Sequence, residues 1–153
     1  MASNRFSIAI HALGLLARAE DKPLKSEQIA CLVKTNPVVI RRILSELRRA
    51  QIVVSQAGAA GGTRLARKPE EILLVEIYRV IESRQIFALH RRKPDEKCEI
   101  GQSIEVVLLQ IQNKLDRAIE EGLGKMTLAE VLRMVEDENE RCRARTRGIN
   151  ESL

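Results

Sequence analysis

Aromatic residues are nearly missing from this chain: there is no tryptophan, one tyrosine and two phenylalanines, at Phe6, Tyr78 and Phe87. Proteins that hold unpaired bases stack them on aromatic rings, so single-stranded nucleic acid is a poor match. Histidine occurs twice, which leaves little for a metal cage or a general base. Cysteine occurs three times, at Cys31, Cys98 and Cys142, far apart in sequence. That odd, scattered set argues against a disulfide framework and for free thiols. No stretch approaches the about 18 apolar residues of a membrane span, and the N-terminus lacks a signal-peptide pattern, so a cytoplasmic protein with no membrane partner is expected. Neither paired catalytic carboxylates nor a nucleotide-binding glycine fingerprint is present, and Gly61-Gly62 has the wrong spacing for one. An enzyme is therefore not expected.

What the chain does have is positive charge. Its 153 residues carry a net charge of +5, and 44% are hydrophobic, enough for the core of one domain with an added oligomerisation element. The charge is concentrated. Between residues 35 and 68, Arg41, Arg42, Arg48, Arg49, Arg64, Arg67 and Lys68 face a single anion, Glu46. A clustered basic face attracts the phosphate backbone and releases its counterions. With so few aromatics, double-stranded DNA is the better partner.

The same stretch has a legible architecture. Asn36 is a good N-cap and Pro37 suits the first helical position, so a helix is expected from Pro37. Ile40, Ile43, Leu44 and Leu47 recur at helical spacing and point to a core. The outward stripe is then Val38, Arg42, Ser45 and Arg49, flanked by Arg41 and Arg48. Arginine forks onto guanine or clamps phosphate, serine donates to either, and valine touches a thymine methyl. Reading helices contact bases chiefly through their N-terminal half, which favours Asn36, Val38, Val39, Arg41, Arg42 and Ser45. Ser26 to Val33, with Ile29, Ala30 and Val33 inward, supplies the preceding helix of a helix-turn-helix over 26–50. Ile52 to Ser55 and Thr63 to Ala66 read as strands about a glycine-rich turn, a hairpin wing over 52–67. Gln56, Gly61, Thr63 and Arg64 are its expected backbone or minor-groove contacts.

The remaining elements are helical. The first helix, about Ser3 to Ala19, is apolar almost all round, and His11 within it is expected at the core edge with a local hydrogen bond. Pro69-Glu70-Glu71 opens a helix through Ile72, Val75, Ile77, Val80 and Ile81. Residues 86–97 break the periodicity and end in a charged run that reads as a solvated loop. From about Gly101 to Glu121, Ile104, Leu108, Ile111, Leu115 and Ala118 follow a four-three spacing, a seam that needs a partner helix, and a two-fold homodimer supplies one. Thr127-Leu128-Ala129-Glu130 is a capping box for a last amphipathic helix, with a charged tail expected to fray beyond Glu136.

Taken together, Arg5 to His11, Thr35 to Leu44, Gly58 to Ala66 and Cys98-Glu99-Ile100-Gly101 before the long helix resemble the Rrf2 family of bacterial winged helix-turn-helix transcription regulators, over most of the chain. That resemblance implies a mainly α fold: a winged DNA-binding domain over 1–85, a sensor-type loop over 86–100, dimerisation helices over 101–145 and a flexible tail over 146–153. The best-known members hold an iron–sulfur cluster on three cysteines just before the long helix. This chain has only Cys98 there. One thiolate, even with His90, Asp95, Glu96 or Glu99 near it, is a poor cage, so no cofactor is expected. Cys98, close to Lys93 and Lys97 but also to Glu96 and Glu99, is either an inert thiol or one that reacts with oxidants, and the same segment could take a small molecule or a protein effector. The expected function is a dimeric regulator, in the first instance a repressor, of a near-palindromic duplex site. The alternative is a protein-interaction regulator that binds an enzyme rather than DNA.

Overall fold

A computed structural model describes residues 4–82, 95 and 97–150. Six α-helices and one hairpin follow in the order α1 (Arg5–Arg18), α2 (Ser26–Val33), α3 (Pro37–Arg49), β1 (Val53–Gln56), β2 (Gly62–Leu65), α4 (Leu74–Ile81), α5 (Glu99–Leu123) and α6 (Leu128–Asn150), with a 3-10 turn at Pro69–Glu71 before α4. The fold is mainly α with a winged helix-turn-helix domain, as the residue pattern implies.

One core joins the first four helices to the base of the hairpin. Leu13 and Leu16 of α1, Ile29 of α2, Ile40, Ile43 and Leu47 of α3, Ile52 before β1, and Ile77 and Ile81 of α4 are fully buried, together with Leu128 at the start of α6. Each such side chain contributes about 1.5–3 kcal/mol by leaving water. Phe6 of α1 meets Tyr78 of α4 edge to face, with ring centroids 5.9 Å apart. Arg5 closes the same junction, donating to the Ile81 carbonyl at 2.8 Å.

Several elements depart from the sequence expectation. His11 is exposed rather than at the core edge. The strands sit one position from where their residue types suggest, Val53 pairing with Leu65 and Gln56 with Gly62. The helix expected from Pro69 makes only a 3-10 turn there, because Ile72 and Leu73 stay extended to join the start of α6. Leu128 N–H donates to the Ile72 carbonyl at 2.8 Å and Leu74 N–H to Met126 at 2.9 Å. The capping box of α6 forms, with Thr127 N–H on Glu130 Oε2 at 2.7 Å and Glu130 N–H on Thr127 Oγ1 at 3.2 Å. The helix that it opens does not fray at Glu136 but runs to Asn150, with Arg141 donating to Glu138 one turn before it at 3.4 Å. Residues 146–150 of the tail segment fall within this helix, and 151–153 lie outside the described residues. So does most of the charged 86–97 run, including His90, Lys93 and Glu96.

Candidate nucleic-acid interface

The helix-turn-helix forms as its local chemistry dictates. Lys34 ends α2 in the left-handed conformation, φ 60°, and turns the chain. Asn36 then caps α3, its Oδ1 accepting from Val38 N–H at 2.8 Å. The cap uses the carbonyl side of that amide and leaves its NH₂ group for an outside acceptor. Val38 is 63% exposed and the Arg42 side chain 78% exposed, while Ile40 and Ile43 beneath them are buried. Arg48 and Arg49 are exposed and Ser45 half-buried. Val39 does not join this face: it is half-buried and packs on the core.

The cations are not equivalent. Arg41 is held by α2, with its guanidinium on Glu27 Oε1 at 2.7 Å and its Nε on Ser26 Oγ at 3.4 Å. The Arg41 hydrogen bond in turn holds the Glu27 carboxyl below the usual carboxylate range. Arg42 makes only a loose pair with Glu46, at 3.5 Å, and Glu46 is already engaged by Arg5. No carboxylate among the described residues pairs with Arg48, Arg49 or Arg64. Arg67 is structural, pairing with Glu76 at 2.6 Å and donating to the Glu71 carbonyl at 3.0 Å.

Arg67 lowers the Glu76 carboxyl below its ordinary 4.5, against a smaller opposing effect of burial. A carboxyl depressed in the folded state stabilises the fold above its unfolded value and loses that contribution as pH falls through the folded value. Glu76→Gln is therefore expected to lower stability at neutral pH and to flatten its loss below pH 4.5, read as the denaturation midpoint against pH.

The hairpin stands beside α3. Its register places Ser55 opposite Thr63 and Val54 opposite Arg64, and successive side chains alternate faces. Thr63, expected at the DNA, is only 7% exposed. Its backbone is stitched on the far edge to Leu24, N–H to carbonyl at 2.8 and 2.9 Å in the two directions. Gly61 is buried too, since a side chain there would overlap the Gln56 carbonyl, and Gly62 lies where a Cβ would come within 2.7 Å of the Leu24 carbonyl oxygen. The exposed wing surface is thus Ala57 to Ala60, with Gln56 and Arg64 beside it.

Between the start of α2, α3 and the hairpin lies a cleft of about 170 Å³ lined by Ser26, Arg41, Leu44, Ser45, Arg48, Ser55 and Thr63. Four hydroxyls and two guanidiniums form a seat suited to a phosphate oxygen. Ser26 and Ser55 are absent from the residues singled out by sequence. Their one signal is position, at a helix start and opposite a buried strand residue.

Cys98 caps α5, its Sγ accepting from Gly101 N–H at 3.2 Å, and it is exposed. Cys31 and Cys142 lie on α2 and α6. Among the described residues no three His, Cys, Asp or Glu side chains gather at one point. Along α5, Ile104 and Leu108 are half-buried, whereas Ile111 and Leu115 are 43% and 42% exposed. Ile100 and Val107 extend the same exposed apolar stripe, and the one buried residue of the helix is Gln112. No helix among the described residues is long and apolar enough to cross a membrane.

A basic helix held by a preceding helix across a short turn, with a hairpin on its flank, defines a transcriptional regulator of the winged helix-turn-helix class. The chain belongs to the Rrf2 family: the family model, described as an iron-dependent transcriptional regulator, matches residues 2–134. It is 38% identical over 133 residues to the candidate HTH-type transcriptional regulator YwnA of Bacillus subtilis, covering 86% of this chain and 97% of that one. Among solved structures, a candidate DNA-binding protein is 35% identical, with 84% and 98% of the two chains covered and a TM-score of 0.67. IscR of T. potens is 27% identical, with 90% of each covered and a TM-score of 0.66. The protein is a transcriptional regulator, not an enzyme.

Proposed function

We propose that this regulator is a homodimer that represses transcription by reading a near-palindromic duplex. The observation that carries the reading is the outward stripe of α3, with Val38 and Arg42 exposed over a fully apolar inner face. Arg42, Arg49, Val38 and Ser45 enter the major groove, helped by the Asn36 amide. The hydroxyl-lined cleft of Ser26, Ser45, Ser55, Arg41 and Arg48 takes a backbone phosphate. Gln56 and Arg64 bring the wing to the flanking backbone. The exposed stripe of α5, with Ile104, Leu108, Ile111 and Leu115, meets its own copy and places two reading helices roughly 34–36 Å apart or a multiple of that.

Selection of binding sites from random duplexes tests this directly. A near-palindrome, with affinity falling steeply in salt and transcription blocked from a promoter that contains it, supports the reading. A chain that dimerises yet selects no duplex supports a protein-interaction regulator in its place.

The chain works without an iron–sulfur cluster, and Cys98 is where a redox signal enters. Its Sγ is the acceptor that caps α5, so oxidation alters the first turn of the helix that carries the dimer seam. Cys98→Ser supplies an oxygen in the same capping role. It is expected to keep duplex affinity and to abolish any loss of affinity on peroxide treatment. An unchanged peroxide response in that variant would assign the signal elsewhere.

A further inference from the structure

Between α4 and α5 lies a cavity of about 270 Å³ lined by Tyr78, Asn113, Asp116, Arg117 and Glu120. Glu120 is committed, since Arg79 donates to its two oxygens at 3.0 Å each. Asp116 is not: its Oδ1 is buried with no hydrogen-bond partner. Arg117 is exposed, and among the described residues no carboxylate pairs with it. Consecutive helical residues point about 100° apart, so Asp116 and Arg117 do not neutralise each other although both border one space. A buried acceptor without a donor is costly, and it marks a place where something else supplies the donor.

The surroundings say what kind of donor. Burial raises the Tyr78 phenol above its ordinary value, and the carboxylates of Asp116, Glu82 and Glu120 raise it further, a negative potential that favours a cation beside it. Arg117 and the Asn113 amide offer the opposite chemistry a few atoms away. The volume is below the about 300–1,000 Å³ of clefts that take drug-sized ligands. We infer that this cavity binds a small zwitterion with one ammonium and one carboxylate, the ammonium on Asp116 and the carboxylate on Arg117.

The site is compatible with the proposed dimer. By helical spacing Asn113, Asp116, Arg117 and Glu120 lie around α5 from Ile104, Ile111 and Leu115, so a second copy on the apolar stripe leaves the cavity open. The occupant bridges α5 to the winged domain beside the Arg79–Glu120 pair, and α4 packs on α3. Occupancy therefore sets the angle between the reading helix and the dimer seam. That regulatory use rests on the DNA reading proposed above, but binding itself does not.

Tyr78 is the one tyrosine of a chain without tryptophan, so ultraviolet-excited emission reports on this cavity with no background. The full chain, free of DNA, is titrated with L-alanine, L-glutamine and β-alanine, and with propylamine and propionate as carriers of one charge each. We expect a saturable emission change with at least one zwitterion and none with the two controls. Asp116→Asn and Arg117→Gln should each weaken it at least about tenfold, with ligand-free melting midpoints unchanged. The inference is overturned if no zwitterion moves either the emission or the midpoint, if propylamine alone matches it, or if either variant binds as the parent does. Emission that follows protein concentration instead of ligand would show that a second copy fills the cavity, and would overturn it too. Because no DNA is present, these results stand whatever the operator experiments give.

Discussion

Arg42→Ala is expected to lower affinity for the selected duplex about 5- to 150-fold, the effect of about 1–3 kcal/mol lost with one good arginine contact, while sedimentation still shows a dimer. Loss of the dimer in that variant would place Arg42 at a subunit contact instead. Arg41 behaves differently, although it adjoins Arg42 on α3. Its guanidinium neutralises Glu27 at 2.7 Å, so Arg41→Ala also uncovers a carboxylate beside the incoming phosphates. The single variant should therefore lose more than one contact's worth of binding. Adding Glu27→Gln to Arg41→Ala should recover part of the loss, whereas the same change beside Arg42→Ala should recover nothing. This sign difference, read from duplex titrations at one salt concentration, separates a reading residue from a neutralised one.

Ile111→Glu should give the second large effect. Ile111 lies at the middle of the apolar stripe of α5 and is 43% exposed in the single chain. In the proposed dimer a glutamate there faces its own copy across the two-fold axis among the apolar side chains of the stripe. Leaving a charge unpaired in a closed interface costs about 3–5 kcal/mol, roughly a 10²- to 4 × 10³-fold weaker dimer. Sedimentation should show a monomer whose melting transition is retained, since the core of the winged domain does not include Ile111. Duplex binding should fall to that of one half-site. A variant that stays dimeric would move the interface off this face.

The helices and the exposed face of α3 were legible because each is set by a pattern within one element. Ile40, Ile43, Leu44 and Leu47 repeat with the helix, and Asn36-Pro37 marks its start, so the beginning of α3 could be placed at Pro37. What was illegible depends on how elements cross. The capture of Arg41 by Glu27 follows from the approach of α2 to α3, and the late start of α4 from the meeting of Leu73 with Thr127. Val39 shows that periodicity finds the centre of a buried face but not its width. Thr63 is another kind of case. Alternation puts it on the side of Leu65, opposite Arg64, a signal that its polar character conceals. The length of α6 was missed because charge alternation looks alike in a frayed tail and in an exposed helix held by its own ion pairs.

The pairing of Thr63 with Leu24 gives the hairpin a second anchor, on the segment that leads into α2. Wing and reading helix are thereby fixed to one another like the arms of a rigid gauge, and the width of DNA that one subunit spans is a constant of the fold. In the proposed dimer, tolerance for operators of different half-site spacing then rests on the joint where α5 packs against α4. Regulators built this way would change their operator repertoire through substitutions at that joint sooner than through changes in the wing.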